Sequence, residues 1–278
     1  MDSQNISQEK KNMNCENPAA GGIHFVLVHG GMHGAWCWYK IMELLEKDGH
    51  RVSAIDLMSA GTNPVTADSI MSFEEYNQPL MHFLAKLPRT EKRAQIVLVG
   101  HSLGGVSIAR GSEDFPHLIA VAVYVCALMF RGGESMQREK EMMELDKDIL
   151  EKVEYNFGNG IGEPPTSGQV PRNFQKDFFY GTSSTLDVTL ASLLLRPCPH
   201  MAVTNMSLKT TDEGYGVVPR VYIKTLKDNA FSLAKQEELI TNSPPEKVYS
   251  IDSDHSPFFS APETLHSLLL EIANTYCV

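Results

Sequence analysis

The chain has 278 residues, 42% of them hydrophobic, with 34 acidic against 24 basic side chains and a formal charge of −10. That length suits one large α/β domain with an insertion, and the acidic balance argues against a nucleic-acid or anionic-membrane surface. Five cysteines (Cys15, Cys37, Cys126, Cys198, Cys277), an odd number without a C-x-x-C pair, predict neither a disulfide framework nor a zinc site and point to a reducing compartment.

Met1 to Ala20 is polar, carries Asp2, Glu9 and Glu16 beside Lys10 and Lys11, and lacks the apolar run of a secretory signal, so it reads as a disordered tail. No stretch approaches the roughly 18 apolar residues of a membrane span, and a cytoplasmic protein is expected. Ile23 to Val28 predicts a buried strand running into His29-Gly30-Gly31, and Trp38 to Glu46 a helix stopped at Gly49. Val52 to Leu57 predicts a second strand, a loop follows around Gly61, Asn63 and Pro64, and Phe73 to Leu87 predicts a helix closed by Pro88. The next run, Ile96-Val-Leu-Val99, leads into Gly100-His-Ser-Leu-Gly104 and then a helix. Gly100 and Gly104 flank Ser102 where a Cβ would collide, the spacing of a serine held on a strained strand-to-helix elbow. Taken alone, those five residues equally describe a glycine-rich turn whose serine caps a helix. Ile119 to Leu128 is another continuous apolar run. Uniformly apolar strands separated by helices predict a mostly parallel sheet covered on both faces.

From Arg131 to about Gly216 the alternation lapses. Met- and Glu-rich helical material (Glu134 to Val153), a Gly/Pro loop (Gly158 to Pro171) and two short helices (Phe174 to Tyr180 and Leu186 to Leu195) read as a mainly helical cap, with an ordinary surface hairpin as the alternative. Met142, Met143, Phe157, Phe174, Phe178 and Phe179 are expected to line an apolar chamber. The α/β pattern resumes with a strand at Val217 to Lys224, a helix at Ser232 to Ile240, a strand at Lys247 to Ile251 and a helix at Ala261 to Tyr276. The expected layout is thus a tail (1–20), core segments 21–130 and 217–278, and a cap at 131–216.

An elbow serine needs a base, and in open α/β sheets reactive groups gather beyond the carboxyl ends of the strands. His255, in the loop Asp252-Ser-Asp-His-Ser-Pro257 after the last strand, meets that condition; His29, His33 and His101 read as packing residues of the turns, and His24, His50, His82, His117, His200 and His266 as surface or core. Asp228 follows the strand before, giving the order Ser102, Asp228, His255. Asp252 and Asp254 are rivals for the acid, and a helix-leading acid near Ser232 is the other reading of Asp228. The amides of Leu103 and Gly31 are the candidate oxyanion donors.

These segments together, His24 to Lys40, Val97 to Gly105, Leu194-Leu-Arg-Pro197, Pro219 to Ile223 and Asp254-His255, resemble the plant methylesterase and hydroxynitrile lyase family of α/β-hydrolases over residues 23 to 276. The resemblance implies an α/β-hydrolase fold and cofactor-free hydrolysis of small methyl esters such as methyl salicylate, methyl jasmonate and methyl indole-acetate. It carries the family's nucleophile, acid and base onto Ser102, Asp228 and His255, and the oxyanion donors onto Gly31 and Leu103. The run Arg220 to Asn229, with Asp254 to Ser260, is most similar to members acting on methyl indole-acetate. Two positions depart from the lyase branch: Gly30 stands where that branch has threonine, and Ser256 where it has the lysine that stabilises cyanide. A serine esterase is therefore expected, with a hydroxynitrile lyase or a slowly hydrolysing hormone receptor as alternatives. The expected partner is a small ester, with no nucleic acid, membrane or metal; a homodimer is left open.

Overall fold

The structure, a computed structural model, describes residues 22–88, 96–131 and 151–277. Six strands form one sheet in the order β2-β1-β3-β4-β8-β9, with every neighbouring pair parallel: β1 is His24–Val28, β2 Arg51–Ile55, β3 Ile96–His101, β4 Ile119–Val125, β8 Arg220–Thr225 and β9 Lys247–Ile251. The central strands are buried along their whole length because helices cover both faces. On one face Phe25, Leu27, Val97, Val99, Val121 and Val123 pack with Trp38 and with Ile41 and Leu45 of α1 (Tyr39–Lys47) and Leu265, Leu269 and Ile272 of α8 (Pro262–Tyr276). The residues between them, Val26, Val28, Leu98, Ala122 and Tyr124, meet Tyr76, Leu80 and Leu84 of α2 (Phe73–Lys86) and Val106 and Ile108 of α3 (Gly104–Asp114) on the other. The period-two alternation of a strand thus divides one apolar run between two half-cores.

Local chemistry sets the ends of these elements. Ser72 accepts from the Glu75 amide and the Glu75 carboxylate from the Ser72 amide, a reciprocal cap that starts α2. After α1 the chain turns at Gly49 with φ +84°, a conformation cheap only for glycine. The strand expected from Val217 starts instead at Arg220, because a 3-10 turn occupies Tyr215–Val217 and Pro219 has no N–H for the ladder.

The chain turns to opposite sides of the sheet after β1 and after β3, so the crevice between their carboxyl ends is the topological switch point. Above it lie α4 (Arg172–Phe179), α5 (Thr185–Leu194), α6 (His200–Thr204) and an antiparallel sheet of β5 (Glu154–Asn156), β6 (Ser167–Gln169) and β7 (Cys198–Pro199). This sheet corrects the reading of Gly158 to Pro171 as loop throughout, since β6 falls inside it. The helical reading of Glu134 to Val153 falls mainly outside the described residues.

Candidate functional site

Ser102 sits between β3 and α3 with φ +53°, in the left-handed region that a serine rarely adopts. Three hydrogen bonds hold it there: its N–H donates to Val125 O (3.2 Å), and its carbonyl accepts from Gly105 N (3.0 Å) and Leu128 N (3.1 Å). A Cβ at Gly104 would stand 2.5 Å from His29 O, and one at Gly100 2.8 Å from Gly104 O, so the turn closes only with hydrogen at both positions.

The carboxyl ends of β8 and β9 bring in the other two groups. The Nδ1–H of His255 donates to Asp228 Oδ2 at 2.8 Å, leaving Nε2 as the ring's bare nitrogen. Asp228, its side chain 0% exposed, is saturated in place: Oδ1 accepts from Ala230 N (2.9 Å) and Phe231 N (2.7 Å), and Oδ2 also from Thr225 Oγ1 (2.8 Å). The carboxylate therefore folds back on its own loop, while Ser232 caps the next helix, α7 (Leu233–Asn242). The rival acids are otherwise engaged. Asp254 accepts from Thr182 N, Ser183 Oγ, Ser256 N and Ser260 Oγ, and exposed Asp252 pairs with Lys227.

Between β1 and α1 two histidines orient the glycine turn. His29 Nδ1–H donates to Gly30 O (2.7 Å) and its Nε2 accepts from Leu57 N (3.1 Å); His33 Nδ1–H donates to Gly31 O (2.9 Å) and its Nε2 accepts from Tyr180 OH (2.7 Å). In a trans peptide the N–H points opposite to the C=O. Pinning Gly30 O to His29 therefore turns the Gly31 N–H the other way, and among the described residues neither it nor the Leu103 N–H meets an acceptor. Ser102, His255, Gly31 and Leu103 line one cavity of about 640 Å³, with Asp228 behind His255.

The chamber differs from the sequence expectation. Of the six cap residues predicted to line it, Phe179 does; Phe174 and Phe178 pack against the core, Phe157 is exposed, and Met142 and Met143 lie outside the described residues. Val153, Tyr155, Val170, Cys198, His200 and Val203 form much of the wall instead, and the described lining holds no lysine or arginine. His200, read from sequence as surface or core, was missed because only the cap's fold brings it here.

His101, Cys126 and His255 also converge, with ligand atoms within 4.8 Å of one another. Burial pushes the Cys126 thiol well above its usual range, and Nδ1 of His255 is taken by Asp228, so the donors present favour a protonated network over a metal cradle. His101 Nε2–H instead donates to His255 O at 2.7 Å, fixing the backbone of that residue.

Burial lowers His33 to about 3 and His101 well below the usual histidine range, so both are neutral when folded and take up protons on unfolding as pH falls through about 6.5. The folded pKa being the lower one, the stability is present above pH 6.5 and lost below it. Each should cost about 2 kcal/mol by about pH 5. Thermal midpoints measured between about pH 7.5 and 5 should fall steeply, and a flat profile would place charge on these rings.

An α/β sheet with a strained serine, a histidine–aspartate pair and free amides around one chamber defines a hydrolase-fold enzyme of the nucleophile-elbow class. The family model described as "Alpha/beta hydrolase family" matches residues 25–267, and the chain belongs to that family. Within it the chain is 41% identical to methylesterase 17 of Arabidopsis thaliana over 262 residues (92% of this chain, 93% of that protein). It is 44% identical to the putative chloroplastic methylesterase 11 of the same plant over 252 residues (90% of this chain), spanning 64% of that protein's length. Among solved structures, the methylesterase MES16 from Arabidopsis superposes with a TM-score of 0.81 at 38% identity, covering 91% of this chain and 99% of that one.

Proposed function

We propose that the chain is a methylesterase, cleaving small neutral methyl esters with an aromatic or alicyclic body into free acid and methanol. The observation that carries this is the His255–Asp228 pair, whose bare Nε2 belongs to the chamber where Ser102 stands on its strained turn. The chain is a carboxylic ester hydrolase, and relatives named methylesterases at 41–44% identity support the methyl-ester reading.

In the proposed reaction His255 Nε2 takes the Ser102 proton as Oγ attacks the ester carbonyl. The resulting oxyanion receives the Gly31 and Leu103 N–H groups. Collapse breaks the bond to methoxide, which His255 protonates and releases as methanol. Water then gives a proton to His255 and attacks the acyl-serine, and a second collapse returns the proton to Ser102 and frees the acid. Beside the ester and one water, the groups that act in this sequence are Ser102, His255 and the two amides.

An apolar chamber without lysine or arginine among its described lining disfavours a second, charged carboxylate, because an unpaired buried charge costs several kcal/mol. The described lining equally offers no lysine for a departing cyanide: Ser256, at the position of the lyase lysine, is buried with its N–H on Asp254. Methanol release should therefore be faster from methyl indole-acetate, methyl jasmonate or methyl salicylate than from the monomethyl ester of an aliphatic diacid. Preference for the diacid ester would refute the apolar reading, and cyanide release from mandelonitrile exceeding every ester rate would make the protein a lyase.

A further inference from the structure

His200 opens α6, and His200, Val203 and Thr204 lie three and four residues apart, so that one face of this short helix lines the chamber. The residue is held by its backbone and by its ring. The backbone N–H of His200 donates to Thr166 O (2.9 Å), tying the helix start to the cap sheet, and the Tyr155 ring meets the imidazole edge-on at 5.1 Å and 77°. Tyr155, Gly168 and Cys198 sit in one row across β5, β6 and β7, and all three line the chamber. A Cβ on the middle residue would lie 2.9 Å from Val153 Cγ1 and 3.2 Å from Tyr155 Cδ1, so Gly168 clears the space in which Tyr155 lies against His200.

The ring nitrogens of His200 meet no donor or acceptor among the described residues, whereas those of His29 and His33 are both satisfied. Burial holds the ring below the usual histidine range, hence neutral near pH 7, with one N–H and one bare nitrogen. Its neighbours in the wall are mainly apolar, Val153, Val203 and Tyr155, so a ligand that fills the chamber with hydrocarbon alone desolvates His200 without replacing its water. The Thr204 hydroxyl is committed to His200 O at 2.9 Å and leaves the imidazole as the stronger donor on that face.

We infer that His200 is a specificity-determining residue, selecting esters whose acid half carries a neutral hydrogen-bonding group, a hydroxyl, ring N–H or ketone, remote from the ester carbonyl. This rests on the esterase reading and adds the substrate class to it: a polar mark on an otherwise apolar body, read on the cap side while the ester lies at Ser102.

The test compares methyl para-hydroxyphenylacetate with methyl para-tolylacetate, which differ by hydroxyl for methyl, and the same pair lengthened by one carbon to vary the reach. The hydroxyl-to-methyl ratio of kcat/KM should fall about tenfold in His200→Leu relative to wild type and be partly restored in His200→Gln. A merely structural role would lower both members of a pair together, and an unchanged ratio in both pairs overturns the inference. Calorimetric titration of the same esters into Ser102→Ala and Ser102→Ala/His200→Leu reads the ratio of Kd values without turnover. Should wild type hydrolyse none of these esters, the esterase reading fails, while the calorimetric ratio still decides the role of His200: a tenfold drop sustains it and no change refutes it.

Discussion

Replacing Ser102 by alanine should lower kcat for methyl-ester hydrolysis by about a million-fold, the scale of losing the nucleophile of a serine triad. The protein should stay folded. The Ser102 hydroxyl makes no hydrogen bond to the described residues, and the strained backbone is held by its own N–H and C=O, which alanine keeps. Removing Oγ thus removes the attacking atom and little else. Methanol release, a thermal midpoint and labelling by a fluorophosphonate together decide it: wild type should gain one covalent adduct and Ser102→Ala none. Near wild-type turnover in the variant would place the nucleophile elsewhere.

Asp228→Asn should lower kcat by about 10⁴, as the corresponding change does in other serine triads. The reason is tautomeric. The carboxylate accepts the His255 Nδ1–H and so leaves Nε2 bare; an amide offering N–H at that place favours the opposite tautomer, whose Nε2–H cannot take a proton from serine. The amide would also face Ala230 N, Phe231 N and Thr225 Oγ1, which already donate to this carboxylate, so some stability should be lost as well. Asp254→Asn provides the contrast. Its carboxylate serves four donors at the base of the His255 loop and none on the His255 ring, so that variant should lower the thermal midpoint while retaining most activity per folded molecule. If Asp254→Asn were the less active protein, the acid would belong to the His255 loop.

The strands and the elbow were legible because their signals are local. Val97 and Leu98 are adjacent in sequence and buried in opposite half-cores, so the run must be apolar throughout. The five-residue pattern around Ser102 is itself contiguous, although what excludes a Cβ is Gly104 O for Gly100 and the carbonyls of Val28 and His29 at the end of the neighbouring strand for Gly104. Asp228 and His255 were placed by topology, as residues just beyond strand ends on one edge of a parallel sheet. The cap was less readable. Strands of two and three residues, as in β5, β6 and β7, are too short to show a period, and their pairing joins segments more than ten residues apart. Aromatic content likewise gave no direction: Phe174 and Phe178 share a helical face four residues apart and turn to the core, whereas Phe179, about 100° further round, reaches the chamber. His200 carried no signal at all, because its role depends on a ring and a missing side chain, Tyr155 and Gly168, contributed by two other strands.

Between roof and base the polar ties are many. Arg196 donates from its guanidinium to Gly61 O, Asn63 O and Val65 O, and its N–H to Met32 O; Asp187 binds Tyr39 and Lys40; Asp68 holds Thr166 and Ser167; Asp254 holds Thr182 and Ser183. Swinging these described parts of the roof aside as one body would break all four groups of contacts in a single event, each costing on the order of 1 kcal/mol or more. For these described parts, then, the route that keeps the ties intact is the movement of single side chains, and the roof acts there as a mesh of fixed gauge. Esters of growing breadth should accordingly lose association rate before they lose affinity, which stopped-flow binding to Ser102→Ala would read.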